Sequence, residues 1–417
     1  MRRGAARHGH RAVRLLVLAL GVALLGACDD GGADRPPGGT AGATSAAGSP
    51  SAVAATPTAR GGPPTGLREV AHGSGRAVVT DDLVVALSST GAKCILAAMP
   101  LAAPDTEKWR VVGEIDGARL GCTPGAPALA GSTLVLPYAS TTAGEGIEAG
   151  SSEQGAIGLH LDGTESWRTP IAGVDTVIGS TDRFALVTDK RESLPGSDEK
   201  HLTAVVDAET GKVLWQKSGL RAYGIDGDTV IVANPEIDTV TALDAATGRQ
   251  RWTSVMYPRG GLAVTGAGVV AVPVKADPDS IGSYDAEIVL RDTRSGAVLH
   301  TEAGPTGFPT CVSDGRTAVV CRTSGGAEDR RILFAYDLTS RRRSWSVPAK
   351  RVADAEIEPR SMVDGRVFFA TKTGGALVDA GTGNKLAHSL SGAPDLVRGV
   401  YGVDNGDRYY TVFLVTS

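Results

Sequence analysis

Histidine and cysteine, which most often ligate metals or carry protons, are sparse in this chain of 417 residues. The seven histidines (His8, His10, His72, His160, His201, His300 and His388) never cluster at metal-binding spacing, and no Cys-x-x-Cys accompanies them. His160 and His300 fall on or beside repeated strands and read as structural. No Gly-x-Ser-x-Gly elbow occurs, and Gly211-Lys212 lacks the upstream glycine and following Ser or Thr of a phosphate loop. Gly144-Glu145-Gly146 has no strand–helix context for a dinucleotide. The expectation is no catalytic residue, no metal and no cofactor.

Cysteine chemistry takes a different direction. Cys28 ends an apolar run, and four others remain: Cys94, Cys122, Cys311 and Cys321. An even number in an exported chain predicts disulfides. Cys311 and Cys321 flank a predicted hairpin, Cys311-Val-Ser-Asp-Gly-Arg-Thr-Ala-Val-Val-Cys321, which leaves Cys94 with Cys122, joining the first and second repeat units.

The elements that position these residues come from a repeat. Two copies are clear: Ala204-Val-Val-Asp-Ala-Glu-Thr-Gly-Lys-Val-Leu-Trp215 and Thr241-Ala-Leu-Asp-Ala-Ala-Thr-Gly-Arg-Gln-Arg-Trp252. A third, Ala376 to Leu386, keeps Asp379, Thr382 and Gly383 but no Trp, and weaker copies end at Trp109, Trp167, Leu299 and Trp345. In the clear copies Asp207 with Thr210, and Asp244 with Thr247, suit side-chain hydrogen bonds to a tight turn, while Gly211 and Gly248 accept positive φ. The closing Trp or Leu (Trp215 and Trp252 in the clear copies, Leu299 and Leu386 in two others) then opens the next strand as an apolar anchor. Upstream lie Asp-Gly hairpin signals such as Asp226-Gly227 and Asp364-Gly365. Four strands per unit, repeated about seven times, describe an all-β propeller. The seven tags predict seven blades. The untagged pair Leu396–Val403 and Tyr409–Val415 leaves eight open, with strands from both chain ends closing the ring.

The N-terminus is read as an address. Arg2, Arg3, Arg7, Arg11 and Arg14 precede Leu15–Ala27, about 13 apolar residues where a membrane span needs about 20. Residues 1–27 are therefore expected to be a signal peptide. Its loss takes the formal charge of −4 to −9, since it carries five arginines and no acid, and a chain that acidic is a poor partner for nucleic acid. Residues 28–66, rich in Gly, Ala, Pro, Ser and Thr, cannot bury enough apolar surface to offset ordering and read as a tether. Residues 67–417 form the propeller.

Leu25-Gly26-Ala27-Cys28 resembles the lipobox of bacterial lipoproteins, which implies a diacylglyceryl group on Cys28 and a lipid anchor on the extracytoplasmic side of the cell membrane. The Asp-Ala-x-Thr-Gly-x-x-x-Trp tag resembles the repeat of the pyrroloquinoline-quinone-like (PQQ-like) propeller family over residues 67–417. That family includes quinoprotein dehydrogenases and non-catalytic lipoproteins such as BamB. The repeat carries the fold and says nothing about catalysis. A quinoprotein resemblance implies PQQ held between a Trp and a vicinal cysteine ring, with calcium bound by Glu, Asn and Asp. No two cysteines are adjacent here, and all five tryptophans stand at the repeat position. The expected function is thus binding or scaffolding in the envelope by a monomeric ring, with an unidentified envelope protein or cell-wall component as partner. An oxidoreductase and an extracellular sensor are the alternatives.

Sorting the connections by their place in a four-stranded blade predicts two unlike faces. Tight turns occupy one. The other takes long connections, at 140–154, 191–200, 276–286 and 323–330, where variable loops suit binding. These are rich in acids: Glu145, Glu148, Glu153, Glu192, Asp198, Glu199, Asp277, Asp279 and Asp285. A cationic or hydroxyl-rich partner is the expectation. Arg341-Arg342-Arg343, with Arg330, Arg331, Lys350 and Arg351, is the only basic concentration. It reads as a solvated edge, or as a contact for anionic head groups or wall polymer.

Overall fold

In a computed structural model of the chain, Asp207 Oδ1 accepts hydrogen bonds from Thr210 N at 3.0 Å and Thr210 Oγ1 at 2.9 Å. The same geometry recurs at Asp244–Thr247 and Asp379–Thr382. Gly211, Gly248 and Gly383 follow with φ of 71°, 66° and 73°, which a side chain would make costly. Each tag is the turn between the third and fourth strands of one sheet.

The structure describes residues 64–90, 93–121, 127–142, 151–189, 201–234, 236–256, 261–275, 285–305, 309–323, 331–348, 357–398, 400–406 and 409–416. The expected signal peptide, Cys28 and most of the tether lie outside them. Among the described residues every element is a strand, and the strands form eight sheets. Blade one is Arg76–Val79, Leu83–Thr90, Lys93–Pro100 and Trp109–Val112. In blade two, Ala128–Ala130 and an added hairpin (Glu114–Ile115, Ala118–Leu120) share one edge of Thr133–Thr142, followed by Ser151–His160 and Glu165–Pro170. Blade three is Thr176–Ser180, Phe184–Thr188, Leu202–Asp207 and Val213–Ser218; blade four is Arg221–Asp226, Thr229–Asn234, Thr239–Asp244 and Gln250–Val255. Blade five is Ala263–Val264, Val269–Lys275, Asp285–Asp292 and Val298–Pro305; blade six is Thr310–Ser313, Ala318–Arg322, Ile332–Asp337 and Arg342–Pro348. Blade seven is Glu358–Val363, Arg366–Thr371, Gly374–Asp379 and Lys385–Leu390. Blade eight combines Leu396–Arg398, Tyr401–Asn405 and Tyr409–Thr416 with Gly66–Ser74 from the other end of the chain.

The ring therefore has eight blades, not the favoured seven. The cause is topological. Because the tag is the turn from third to fourth strand, a blade whose fourth strand comes from the N-terminal side has no such turn to encode. Gly66–Ser74 pairs antiparallel with Tyr409–Thr416, and Thr65 N donates to Thr416 O at 2.7 Å. Ring closure is completed by Asn405, whose Oδ1 accepts from Ala77 N at 2.6 Å while its Nδ2 donates to Ala77 O at 3.0 Å. Tyr401, Val403, Tyr410 and Val412 of blade eight pack there against Ala77, Val79, Val84 and Ala86 of blade one.

Middle strands are covered on both faces by neighbouring blades, so Phe184–Thr188 is buried throughout instead of alternating. Between blades the tryptophans act as wedges. Trp109, Trp167, Trp215, Trp252 and Trp345 each donate Nε1–H to a backbone carbonyl in the next blade's tag turn: Leu161, Ala208, Ala245, Thr293 and Ala380, at 2.8–2.9 Å. Each indole lies on the glycine of that turn (Gly163, Gly211, Gly248, Gly296 and Gly383), leaving no room for a Cβ at ordinary contact distance. Two expected anchors shift by one residue. Opposite Leu290 in blade five stands His300, not Leu299, and opposite Leu377 in blade seven stands Ala387, not Leu386, which is 47% exposed.

The Cys311–Cys321 disulfide links neighbouring strands of blade six, as expected. Cys94 is disulfide-bonded as well; its expected partner Cys122 lies outside the described residues.

Candidate functional site

In blades three to seven, a backbone hydrogen bond ties the tag turn to the turn between the first two strands of the same blade. Ala208 N reaches Arg183 O, Ala245 N reaches Asp228 O, Thr293 N reaches Gly268 O, Leu338 N reaches Thr317 O, and Ala380 N reaches Gly365 O, all within 2.8–3.0 Å. Both classes of tight turn thus share one face, and the long connections leave the opposite ends of the strands. Turn carboxylates also reach across blades. Asp226 Oδ2 accepts from Gly268 N at 2.7 Å, and Asp314 Oδ2 from Gly365 N at 2.9 Å. Burial, against the Gly268 and Thr293 donors, leaves the Asp226 carboxyl above its usual pKa. This face is stapled, with its acids engaged in holding it together.

The opposite face carries the candidate binding loops, most of which lie outside the described residues: Glu145, Glu148, Glu192, Asp198, Glu199, Asp277 and Asp279 do so. Two expected loop ends are strand instead. The hairpin of blade two pairs out to Thr142 and Ser151, so Glu153 is a strand residue opposite Ser140. Asp285 begins the third strand of blade five, opposite Pro305. The correction has a physical cause: polar residues at the tip of a long hairpin still satisfy the ladder. Glu153 Oε1 accepts the buried Tyr138 hydroxyl at 2.7 Å. Burial, then that hydrogen bond, raises the phenol above its usual range. The Arg168 guanidinium lies 5.6 Å from the Tyr138 ring centroid and bonds Glu165 and the Ile115 carbonyl.

First strands of neighbouring blades approach one another around the axis. Between those of blades five to eight lies a cavity of about 460 Å³, lined by Ser313, Asp314, Arg316, Met362 and Asp364 among others. An adjoining cavity of about 200 Å³ shares Ser313, Met362 and Val397 and adds Arg360, Ser361 and Asp395. Arg360 is held between Asp395 at 3.2 Å and Glu358 at 3.3 Å. Burial raises the Asp395 carboxyl, opposed by the Asn405 N–H and Arg360.

These residues do not fit a quinone held over calcium. All five tryptophans are inter-blade wedges with their N–H groups bound to backbone, and neither cavity lining contains an aromatic ring. Cys311 and Cys321 bridge adjacent strands ten positions apart. Among the described residues no group of three His, Cys, Asp or Glu side chains could hold a metal ion.

One cluster escaped the sequence reading. Glu302, 5% exposed, accepts Arg343 Nη1 at 3.0 and 3.1 Å, Ser346 Oγ at 2.9 Å, and lies 2.9 Å from His300 Nε2. It bridges the outer strands of blades five and six, at a junction that lacks the tryptophan wedge. Tyr336 takes up the room, its ring 5.9 Å from the His300 ring. The signal was present: His300 stands eight residues after Asp292, as Trp215 does after Asp207.

A family model described as "Outer membrane protein assembly factor BamB" matches the chain in three overlapping stretches, residues 50–253, 153–301 and 198–410. No curated protein matches. Among solved structures, BamB from Moraxella catarrhalis superposes with a TM-score of 0.51 at 14% identity, covering 84% of this chain and 99% of that one. The computationally designed Ika8 protein gives 0.51 at 12% identity over 86% of this chain and 98% of that one. A quinohemoprotein alcohol dehydrogenase from Comamonas testosteroni gives 0.47 at 12% identity, over 84% and 77%. At such identities the likeness is one of fold.

Proposed function

The chain belongs to the PQQ-like repeat family described by the BamB model, and from that premise we propose that it is a lipid-anchored, non-catalytic recognition ring of the bacterial envelope. One observation carries the reading: the five tryptophans and the tag aspartates are all engaged in the scaffold, which leaves chemical variety to the long connections of one face.

The anchor reading rests on Leu25-Gly26-Ala27-Cys28. Two acyl chains would hold the protein firmly, at about 0.8 kcal/mol per buried CH₂. Thr65 sits where the described chain joins blade eight, at the tight-turn end of its outer strand. The tether therefore meets the ring on the tight-turn face, and the long connections lie on the other side, facing an envelope protein or wall component. BamB is named for the assembly of outer membrane proteins; for this chain the class of partner follows only from the location, and the acidic loops favour a cationic or hydroxyl-rich surface.

Capture from detergent-solubilised envelope membranes, with the lipidated protein as bait, tests the proposal. It predicts a stoichiometric partner. Saturable quinone binding with dye-linked oxidation of an alcohol or sugar would replace it with the oxidoreductase.

A further inference from the structure

Four arginines on the tight-turn face are neutralised by its carboxylates. Arg183 lies 3.8 Å from Asp207; Arg251 bonds Asp228 at 2.9 Å and Asp244 at 2.7 Å; Arg294 bonds Asp228 at 2.7 Å; and Arg366 pairs with Asp379. The tip of blade six differs. Arg316, in the turn between its first two strands, Arg341, in its tag turn, and Arg342, which opens its fourth strand, are exposed and make no ion pair with any described residue. The Leu338 N to Thr317 O bond holds the two turns together. The acids in those turns are satisfied within the fold: Asp314 accepts from Arg316 N, Thr317 N, Thr317 Oγ1 and Gly365 N, and Asp337 from Ser340 N. Elsewhere the tags carry single cations, such as Lys212, Arg249 and Lys385, that make no ion pair with a described residue. Arg341 moreover holds φ of 54° where four other tags place glycine, so the cation stands at a position the backbone itself would give to Gly.

We infer that the blade-six tip docks on anionic phospholipid head groups of the membrane that carries the anchor. Two observations point to the bilayer. Guanidinium groups match phosphate oxygens in charge and geometry, and the chain leading to Cys28 departs from this same tight-turn face at Thr65. Tethering raises the local concentration of lipid, so a contact too weak to recruit a free protein suffices to orient a tethered one. The inference rests on the lipid-anchor reading for its biological setting, while its physical claim is separable from acylation.

The test uses the mature chain carrying Cys28→Ser, which cannot be acylated, in co-flotation with vesicles of phosphatidylcholine alone or with phosphatidylglycerol added. Binding is expected only with the anionic lipid, weakening as salt rises. Arg316→Gln, Arg341→Gln and Arg342→Gln should each lower vesicle affinity about fivefold, and the three together on the order of a hundredfold. The corresponding Lys triple variant should retain most of it, and Lys212→Gln with Arg249→Gln should leave it unchanged. A matched thermal transition excludes misfolding as the cause. Equal binding by wild type and the Gln triple variant would overturn the inference. So would retention by soluble polyglycerol phosphate without enrichment on vesicles, which would assign the patch to wall polymer. Mass analysis of the native protein reads the acyl group on Cys28 separately, so a failed anchor and a failed patch give different results.

Discussion

Trp215 and Gly248 form one contact across two blades: the indole donates to Ala245 O at 2.8 Å while its Cγ lies 2.8 Å from where a Cβ on residue 248 would stand. The glycine thus serves both the turn and the neighbouring blade's tryptophan. Gly248→Ala imposes a side chain at φ of 66° and pushes the ring outward. We expect a loss of about 2–4 kcal/mol, from left-handed strain plus overpacking, read as a lower midpoint in urea unfolding. Gly227→Ala, at φ of 57° but in open space, should lose only the strain part. Equal losses at the two sites would refute the wedge.

The blade-five to blade-six junction uses polar chemistry in place of the wedge. Glu302→Gln keeps the shape but removes the charge that Arg343, Ser346 and His300 face. A loss of about 2 kcal/mol is expected, typical of hydrogen bonds to a buried charge. Arg343→Met, which leaves that carboxylate short of donors, should be no less harmful. If both variants unfold like wild type, the cluster is ornamental to the seam.

Acid should weaken the ring through its turn carboxylates. Asp244 and Asp228 are held below the usual carboxylate range, first by hydrogen bonds from Arg251. Groups depressed in this way add stability that is complete above the unfolded pKa, about 4, and lost as pH falls toward the folded value. The urea midpoint should therefore drop between about pH 5 and pH 3. Asp244→Asn should start lower at neutral pH and show a shallower decline. An unchanged slope would mean that the pair does not couple to folding.

How much could be read from residues alone depended on whether a feature is local. The tag turn is local, and Asp207, Thr210 and Gly211 fold as their types imply. Blade count is not: Gly66–Ser74 joins Tyr409–Thr416 across nearly the whole chain, and a strand borrowed from the far end leaves no turn to count. The wedge partners Gly163, Gly211, Gly248, Gly296 and Gly383 lie in the next repeat, so spacing within a tag points to the turn role only. Leu299 and Leu386 looked like anchors because they are apolar. Counting eight residues from Asp292 and Asp379 reaches His300 and Ala387, the positions that face the adjoining blade.

Covalent links offer two direct checks. Peptide mapping without reduction should recover Cys311 with Cys321 and Cys94 with Cys122; Cys94 crossed to either blade-six cysteine would contradict the second pair. Cys28→Ala should release the protein or leave an uncleaved precursor, whereas a variant as processed and as membrane-bound as wild type would refute lipidation.

The central claim is recognition by the long-connection face. Its most direct measurement is partner capture from solubilised envelope with each of the connections at 143–150, 190–200, 276–284 and 324–330 replaced by a two-residue turn. The thermal transition should stay nearly unchanged, because loop-closure cost varies slowly with length, while capture of the stoichiometric partner is lost for one or more of the four. Full capture by all four variants, with loss only when the tight turns are altered, would contradict the account.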